Sequence, residues 1–352
     1  MWAGFAAYLG VLWTAPRLGR RLVWGLILVL VTGFAVAPVL LSHDVYSYVD
    51  YARLDIRHGL DPYVHPPLAA PGDPAYSQVT WTEATSAYGP LFTLLTYPLA
   101  WLPVGVAVAA LKAVAALSVL GVATLTARIA TWRGIDPLRA AAFVALNPLV
   151  LVHVVGGAHN DGLTMLLAML AVAAILSARQ LAGGVALLAA VATKLSAAFL
   201  APFALLGTQR PRRLLTGTLG AALATALVSY LAFGWDWLGG FGLAGENQSR
   251  TSHMSIPITI ARITGLGPDG VRLAATILFA ALVAYLLVWT WRGGDWVRAS
   301  AWAAFGLLLA TAWLLPWYLI WPLPLVAISR DRPLQLLTLA LTAYQLGARV
   351  PL

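Results

Sequence analysis

The sequence predicts an all-α, polytopic membrane protein, and three observations carry this prediction. Of the 352 residues, 61% are hydrophobic and 10% are charged, whereas soluble domains contain about 45–50% apolar and about 25% charged residues. The mean hydropathy is +0.82. Apolar runs long enough to cross a bilayer recur along the chain and alternate with short loops that carry arginine. We therefore expect one integral-membrane domain over residues 1–352, with roughly 11–13 transmembrane helices.

Most of the spans follow directly from the apolar runs. The arginines of the short connecting loops fall on one side of the resulting arrangement, and the positive-inside rule makes that side cytoplasmic. Most of the acidic residues and all six His then fall at or near the outer face, so we expect any chemistry to be extracytoplasmic. The predicted spans lie near residues 2–15, 22–41, 104–130, 140–156, 162–178, 214–233, 270–291, 298–315, 317–328 and 334–348.

The segment 181–208 requires separate treatment. Arg179 before it and Arg210 after it are both predicted to be cytoplasmic, so the segment crosses the membrane an even number of times. Each arm is about 20 Å long as a helix, whereas the apolar core of a bilayer is about 30 Å thick. We predict a short or broken hairpin with Lys194 near its apex, because interrupted helices are tolerated where they line a cavity.

Two long outer loops separate the spans. The first, residues 42–103, is expected to contain interfacial helices, and the second covers residues 234–269. The first loop opens with the stretch 42–63, in which four acids, two His, two Arg and four Tyr follow directly on an apolar run. Polar side chains gathered at the end of a span indicate a functional site.

Absent features disfavour several classes of protein. The chain has no Cys, so it forms neither disulfides nor thiolate metal sites. It contains no Walker loop, no Rossmann glycine fingerprint and no His-Glu-x-x-His motif. Acidic pairs with Asp-x-Asp spacing are absent too, so an enzyme here is expected to use neither ATP nor a nucleotide sugar. The net charge of +9 reflects loop arginines, and we expect no nucleic-acid partner.

Asp44 is the first candidate for chemistry, because it directly follows a span and begins a stretch that suits an interfacial helix. Helical spacing puts Asp44, Ser47, Tyr48 and Tyr51 on one face. A carboxylate there could deprotonate a hydroxyl held within hydrogen-bond reach, and the tyrosines could stack on a sugar. The alternative is that Ser42 or Asp44 only caps the helix.

A second group of polar residues lies at the outer turn 156–162. Asp161 begins the next predicted helix, so one interpretation is that it caps that helix. The other interpretation is that His159, Asn160 and Asp161 together form the wall of a site.

Two cations are candidates for binding a phosphate. Lys194 is one of only two lysines, and a lysine inside a membrane segment needs an anionic partner. That partner is either a protein carboxylate such as Asp161 or a lipid phosphate, and the same alternatives apply to Lys112. Arg250, in the second outer loop, presents a planar set of donors suited to phosphate oxygens, although it could equally be an ordinary loop cation.

The last candidate is the aromatic segment 315–322. Trp317 and Tyr318 lie there beside two prolines at a predicted outer helix end. They either belong to an interfacial aromatic belt or wall a groove for a lipid or sugar.

Six motifs carry a resemblance to a known family, in the order Ser42-His43-Asp44-Val45-Tyr46-Ser47-Tyr48, Gly59-Leu60-Asp61-Pro62-Tyr63, Tyr88-Gly89-Pro90-Leu91, Ala158-His159-Asn160-Asp161-Gly162, Thr193-Lys194-Leu195 and Pro316-Trp317-Tyr318-Leu319-Ile320-Trp321. Over nearly its whole length the chain resembles polyprenyl-phosphomannose-dependent α-1,6-mannosyltransferases of the actinobacterial envelope, which are integral-membrane enzymes of the GT-C fold. The resemblance implies a plasma (inner) membrane location, a lipid-linked donor, an extracytoplasmic active site and inversion at the sugar carbon. It also implies that Asp44 is the general base.

The sequence thus leads to one hypothesis with named partners. A polyprenyl-phosphate sugar, most simply mannose, is the donor within the membrane lipids, and a hydroxyl of an envelope glycan or lipoglycan is the acceptor. Lys194 and Arg250 bind the donor phosphate. No metal or other cofactor is required, although a weakly bound divalent cation stays an alternative. The residues assigned to the sugar and the acceptor are Tyr48, Tyr51, His159, Asn160, Asp161, Trp317 and Tyr318.

Two alternatives to this hypothesis stay open. Within the same fold, the donor could carry arabinofuranose, glucose or another hexose. Outside the enzyme class, buried charge and broken helices also suit a transporter or flippase for a lipid-linked glycan. Transport is disfavoured because the predicted inner side carries little besides loop arginines.

Overall fold

The computed structural model describes residues 2–246 and 250–348. Every regular element in these two ranges is helical, which confirms the all-α prediction. The α-helices are α1 (Trp2–Val36), α2 (Asp44–His58), α3 (Pro90–Thr96), α4 (Val104–Trp132), α5 (Pro137–Ala145), α6 (Asp161–Leu176), α7 (Gln180–Thr193), α8 (Ala201–Gly207), α9 (Pro211–Phe233), α10 (Gly239–Glu246), α11 (Ile256–Thr264), α12 (Pro268–Trp291), α13 (Trp296–Ala310), α14 (Leu323–Ala327) and α15 (Arg332–Ala348). Short 3₁₀ turns cover Pro67–Ala69, Tyr76–Gln78, Tyr97–Trp101, Leu195–Leu200, Asp236–Leu238 and Pro316–Ile320.

Within the described residues, four helices are long and apolar enough to cross a membrane, namely α1, α4, α9 and α12. Only 6% of the residues in the apolar 18-residue window of α12 are buried inside the protein. A helix that exposes so much apolar surface is stable facing lipid chains rather than water. Shorter apolar helices, among them α6, α7 and α13, pack between the long ones. The chain is therefore a membrane protein.

The first helix is interrupted where the two N-terminal spans were predicted to meet. Gly19 has φ 75° and ψ 162°, which is not a helical conformation. A positive φ costs glycine little because it has no Cβ. Gly19 lies among the arginines Arg17, Arg20 and Arg21, so the predicted span 2–15 and residues 22–36 of the predicted span 22–41 are two segments of α1 on either side of a kink, while residues 37–41 are not helical.

The predicted spans 140–156 and 317–328 are not continuous α-helices. Helix α5 ends at Ala145, and a π-helical turn over Val150–Val155 follows Pro148. A proline removes a backbone donor and clashes with the preceding turn. At this break the buried side chain of Asn147 pairs with a backbone amide, because its Oδ1 accepts a hydrogen bond from the Leu149 amide at 3.0 Å. In 317–328, prolines likewise divide the chain into a 3₁₀ turn and α14.

Helices α6 and α7 form an antiparallel pair that ends beside Lys194. Helix α7 stops at Thr193, and Lys194 has an extended backbone with φ −157° and ψ 125°. The chain continues as the 3₁₀ turn Leu195–Leu200 and then as α8. The start of α6 and the end of α7 therefore lie at the same end of the bundle, next to the first outer loop.

The first loop packs on the bundle through an apolar cluster of its own. Val45, Tyr48 and Val49 of α2 are buried against Phe92 of α3 and against the beginning of α4. Gly89 adds a close contact with α7, because its amide donates to the carbonyl of Thr193 at 3.2 Å. These contacts fix α2 against α3 and α4, and they join the loop to the end of α7 through Gly89.

Candidate active site

A cavity of about 460 Å³ opens between α2, the first outer loop and the segment around the 3₁₀ turn Pro316–Ile320. Its lining combines aromatic rings with a small number of charged and hydroxyl groups, as is usual for ligand sites. The lining residues include Asp44, Ser47, Tyr48, Tyr51, Trp81, Thr85, Tyr88, Lys194, Ser196, Phe241, Arg250, Thr311, Trp313, Trp317, Tyr318 and Trp321.

Asp44 is the first residue of α2, and its carboxylate lies on the cavity wall. Its Oδ1 accepts a hydrogen bond from Trp81 Nε1 at 3.3 Å, and its Oδ2 lies 3.7 Å from His159 Nδ1. The side chain is 17% exposed, so it reaches the cavity. The Ser42 hydroxyl accepts a hydrogen bond from the Asp44 backbone amide at 3.3 Å. The Asp44 carboxylate therefore faces the cavity, and Ser42 contributes the local contact at the start of the helix.

Burial raises the pKa of the Asp44 carboxyl above its ordinary value. The positive charge of Lys194 and the hydrogen bonds from Trp81 and Ser42 oppose this shift, whereas the negative charge of Asp161 adds to it. A raised pKa makes the carboxylate a stronger base than a solvated aspartate, which suits proton abstraction.

The rest of the polar face of α2 lines the same cavity, as its helical spacing predicts. Ser47, Tyr48 and Tyr51 all belong to the lining. The hydroxyl of Tyr51 donates to the carbonyl of Ala84 at 2.8 Å. The ring of Tyr48 is held edge-on by Tyr88, with their centroids 4.8 Å apart. Both tyrosines are thus fixed parts of the wall.

Lys194 pairs with Asp161, which was one of its two predicted kinds of partner. Lys194 Nζ lies 2.7 Å from Asp161 Oδ2, and Trp321 Nε1 donates to Asp161 Oδ1 at 2.7 Å. Asp161 is fully buried, while the Lys194 side chain is 19% exposed and lies on the cavity. The ammonium group also lies 5.3 Å from the centre of the Tyr318 ring. Asp161 therefore holds the lysine from behind while the lysine faces the cavity.

His159 and Asn160 lie behind the cavity wall, and the described lining residues include none from the turn 156–162. The His159 ring stacks on Trp317 with centroids 3.7 Å apart and an interplanar angle of 17°. The Asn160 side chain is buried, and its amide has no hydrogen-bond partner among the described residues. Trp317 and Tyr318 do reach the cavity. The stack fixes Trp317, and His159 in turn approaches Asp44.

Arg250 lies over the ring of Trp81. Its guanidinium carbon is 4.9 Å from the centre of the Trp81 ring, and both residues belong to the cavity lining. Arg250 is exposed. The second outer loop therefore reaches the cavity through an arginine stacked on an indole.

Outside the candidate segment 315–322, sequence reasoning missed four aromatic residues of the lining as site residues, namely Trp81, Tyr88, Phe241 and Trp313. Trp81 contacts Asp44, and Trp313 contacts Trp81 edge-on at 6.5 Å. Tyr88 stands in a motif that carried the family resemblance, so a signal for it existed. Trp81 and Trp313 are two of 15 tryptophans, and nothing in their spacing distinguishes them. Within the described residues, no cluster of three or more His, Asp or Glu could hold a metal ion.

Comparison with protein families matches this chain to one of them. The family model described as alpha-(1->6)-mannopyranosyltransferase, N-terminal domain, matches residues 1–210, which is more than half of the chain. The matched range includes Asp44, Asp161 and Lys194, whereas Arg250 and Trp317 lie beyond it. No solved structure matches the chain.

Two related proteins align with different fractions of this chain. The alpha-(1->6)-mannopyranosyltransferase A of Mycobacterium tuberculosis (strain ATCC 25618 / H37Rv) is 29% identical over 370 aligned residues, which cover 93% of this chain and 70% of that protein. Alpha-(1->6)-mannopyranosyltransferase A of Corynebacterium glutamicum is 28% identical over 232 residues, covering 57% of this chain and 47% of that protein. This chain therefore spans only part of each relative's length.

Proposed function

The chain belongs to the alpha-(1->6)-mannopyranosyltransferase family, and on this premise we propose that it transfers mannose from a polyprenyl-phosphate donor to a hydroxyl of an envelope glycan or lipoglycan. The chain is a glycosyltransferase enzyme of the membrane. In the proposal its fold is of the GT-C type, its membrane is the plasma (inner) membrane, and its cavity opens on the outer face. The new linkage is α-1,6 and the reaction inverts the anomeric carbon.

One observation carries the proposal. A half-buried carboxylate, Asp44, and an ammonium group, Lys194, line the same cavity, and Lys194 is near enough to lower the pKa of Asp44. A glycosyl transfer from a phosphate needs these two groups, one to take a proton and one to bind an anion. The chain also has long helices that expose apolar surface, which suits an enzyme whose donor is held in a membrane.

In the proposed reaction the acceptor oxygen attacks the anomeric carbon as its proton passes to Asp44. The bond between that carbon and the phosphate oxygen breaks at the same time, and polyprenyl phosphate leaves. One negative charge therefore disappears from Asp44 while one appears on the leaving phosphate. The total charge of the cavity is unchanged, but negative charge moves from Asp44 to the phosphate, where Lys194 stabilises it.

Lys194 is the cation that we assign to the phosphate. An ammonium group has three donors, and Asp161 uses one of them. The remaining donors are available to phosphate oxygens on the cavity side. Asp161, with both oxygens already bonded, supports this role by orienting the lysine rather than by binding sugar. Arg250 is the second cation of the lining, and its planar donors suit the same phosphate.

We assign the contacts with the sugar and the acceptor to the aromatic residues of the cavity lining. Trp317 and Tyr318 present ring surfaces to the cavity beside Lys194, which suits the mannosyl group of the donor. Tyr48 and Tyr51 line the Asp44 side, where the acceptor hydroxyl must lie. His159 supports this wall from behind and positions Trp317 and Asp44, and Asn160 is buried beside it in the same turn. No step of the proposed reaction requires a metal ion.

A transfer assay tests the proposal. Purified protein is incubated with radiolabelled polyprenyl-phosphate mannose, glucose or arabinofuranose, with GDP-mannose in a parallel arm, and with short mannan acceptors, and the linkage of the product is analysed. We expect incorporation from polyprenyl-phosphate mannose alone, in α-1,6 linkage. Selective use of another lipid-linked sugar would reassign the donor. Incorporation from none of the donors would overturn the enzymatic proposal in this form.

Asp44→Asn and a matched control test the assignment of the base. Asp55 is on the same helix and accepts a hydrogen bond from the Tyr97 hydroxyl, outside the cavity lining, and an amide can still accept that bond. Asp44→Asn is expected to reduce transfer at least about 100-fold, while Asp55→Asn retains activity. A folded Asp44→Asn protein with full activity would remove Asp44 from the mechanism.

A further inference from the structure

The indole of Trp81 donates a hydrogen bond to the Asp44 carboxylate from a part of the chain that is distant in sequence. Trp81 Nε1 donates to Asp44 Oδ1 at 3.3 Å. Trp81 comes from the loop between the 3₁₀ turn Tyr76–Gln78 and α3, whereas Asp44 begins α2. The bond therefore joins two separate segments of the first outer loop at the cavity.

We propose that Trp81 is a positioning residue for the base, which fixes the plane of the Asp44 carboxylate so that one oxygen is held and the other is presented to the acceptor. This inference rests on the proposed function. A carboxylate on a single-bonded side chain rotates unless a donor holds it, and an indole has one donor and no acceptor. Trp81 therefore orients the carboxylate without competing for the proton that it receives.

Trp81 is itself held by two contacts that do not involve its N–H group. Arg250 lies over one face of its ring at 4.9 Å, and Trp313 packs edge-on with ring centroids 6.5 Å apart. Arg250 belongs to the second outer loop, so the orientation of the base depends on the docking of that loop. Contacts therefore connect Arg250 of the second outer loop to Trp81, and Trp81 to the Asp44 carboxylate.

The charged groups around Asp44 are few, which makes a test by pH interpretable. Lys194 and Asp161 act on it through space, and His159 Nδ1 lies 3.7 Å from Oδ2. Arg250 lies beyond the Trp81 ring. A hydrogen bond to the ionised form lowers the pKa of a carboxyl, and the Trp81 bond acts on Asp44 in this direction. Removal of the N–H group should therefore raise the pKa of Asp44.

The kinetic test uses Trp81→Phe, which keeps an aromatic ring under Arg250 and removes the donor. Trp101→Phe is the matched control, because Trp101 is in the same loop and carries Arg57 over its ring at 5.2 Å but is outside the cavity lining. We expect Trp81→Phe to lower kcat about 10-fold with a smaller change in KM, and to move the acid limb of the pH–rate profile to higher pH. Trp101→Phe should match the wild type. An unchanged kcat and pH profile in Trp81→Phe would overturn the inference.

A spectroscopic test gives a readout that does not depend on catalysis. The protein is labelled with 5-fluorotryptophan, and the fluorine resonance missing from Trp81→Phe identifies Trp81. We expect the Trp81 resonance to shift with pH in the wild type and not to shift with pH in Asp44→Asn. The Trp101 resonance, identified by its loss in Trp101→Phe, should be unaffected by pH and by the Asp44→Asn substitution. A Trp81 resonance that titrates identically in Asp44→Asn, or that does not titrate in the wild type, contradicts the contact.

The two tests separate this inference from the proposed function. A wild-type protein that transfers mannose, combined with a fully active Trp81→Phe, rejects the role of Trp81 alone. A wild-type protein that uses no lipid-linked donor rejects the proposed function, and the fluorine titration still decides whether Trp81 holds the Asp44 carboxylate.

Discussion

Asp44 and Asp161 are two carboxylates of one site whose surroundings give them different tasks. Asp161 is fully buried, and Lys194 and Trp321 occupy both of its oxygens. Asp44 accepts one indole hydrogen bond and keeps contact with the cavity. Only Asp44 can take a proton from a bound acceptor without breaking an ion pair. The sequence predicted both residues as site residues, but this division depends on contacts more than 30 residues apart along the chain.

The rate of mannose transfer should depend on pH through the protonation of the Asp44 carboxyl. In the proposed mechanism Asp44 acts as a base only when it is deprotonated, and burial raises its pKa. As the pH falls through this raised pKa, kcat/KM should fall, with a midpoint above the usual aspartate value of about 3.9. A pH–rate profile of the purified enzyme measures the midpoint. A profile that is flat down to pH 4 would show that another group, or no group, takes the proton.

The second residue-scale prediction concerns Asp50, on the same helix but outside the cavity lining. Burial, reinforced by the charge of Asp73, raises the pKa of Asp50 to about 7, against the opposing charges of His58 and Arg53. The folded carboxyl holds its proton more tightly than the unfolded one. Its contribution to stability is therefore complete below about pH 4 and is lost as the pH rises through 7.

Asp50→Asn should remove this dependence. We expect the variant to be more stable than the wild type at pH 8 by about 2–4 kcal/mol and to match it below about pH 4. Unfolding midpoints in detergent across this pH range measure the difference, and Asp55→Asn serves as the control on the same helix. A difference in unfolding midpoint between Asp50→Asn and the wild type that stays constant across this pH range would contradict the prediction.

At the scale of elements, the break after α7 places Lys194 at the site. An uninterrupted helix would continue past Thr193, whereas the extended backbone at Lys194 turns the chain into a 3₁₀ segment. The ammonium group and the start of α6 thereby meet at one end of the helix pair. Breaking a buried ion pair by removing one partner is costly, because it leaves the other charge unpaired.

Variants of this pair separate folding from catalysis. Lys194→Gln should destabilise the protein by about 3 kcal/mol, since Asp161 is left buried without its cation. The double variant Lys194→Gln, Asp161→Asn should recover most of this stability yet stay inactive with the lipid-linked donor. Unfolding midpoints and transfer assays on the same preparations measure both effects. Full activity in the double variant would remove Lys194 from phosphate binding.

The contact of the first loop with α7 gives a further prediction at this scale. A Cβ at Gly89 would lie 2.1 Å from the carbonyl oxygen of Ala192, whereas a Cβ at Gly72, in the same loop, would meet nothing within 4 Å. Gly89→Ala should therefore cost about 1–3 kcal/mol and lower kcat by shifting α2 relative to Lys194. Gly72→Ala is the matched control. Equal unfolding midpoints for the two variants would show that the loop adjusts without strain.

The elements also show where sequence reasoning succeeds and where it stops. The long apolar helices and the polar face of α2 follow from composition and period, which are local properties. The spans predicted at 140–156 and 317–328 were wrong as single helices because apolarity was weighed above Pro148, Pro316 and Pro322. The bond between Trp81 and Asp44 depends on how two loop segments fold back on each other, and no local pattern encodes it.

At the scale of the whole molecule, two polar networks lie at opposite ends of the bundle. The site adjoins the beginning of α4, a helix about 43 Å long. At its other end Arg133 pairs with Asp295, and Arg298 Nε lies 2.7 Å from Asp331 Oδ2. Arg133 and Arg298 are among the loop arginines that the sequence predicts on the cytoplasmic side. Their meeting at one end agrees with a single sidedness for the short arginine-bearing loops.

This separation allows the orientation of the molecule in the membrane to be predicted. The positive-inside rule puts the arginine-rich end in the cytoplasm and the cavity outside. Because the chain has no Cys, single cysteines can report the sidedness without prior substitutions. Glu83 lies in the first outer loop near Trp81, Gln209 lies in the short loop before α9, and both are exposed.

In intact cells, a membrane-impermeant maleimide should label Glu83→Cys and should label Gln209→Cys only after the membrane is permeabilised. Transfer activity of both variants provides the control for folding, since neither residue lines the cavity. The reverse pattern would place Asp44 and Lys194 on the cytoplasmic side. In that case a donor presented in the outer leaflet could not reach the base, and the enzyme would have to draw its lipid-linked sugar from the inner leaflet.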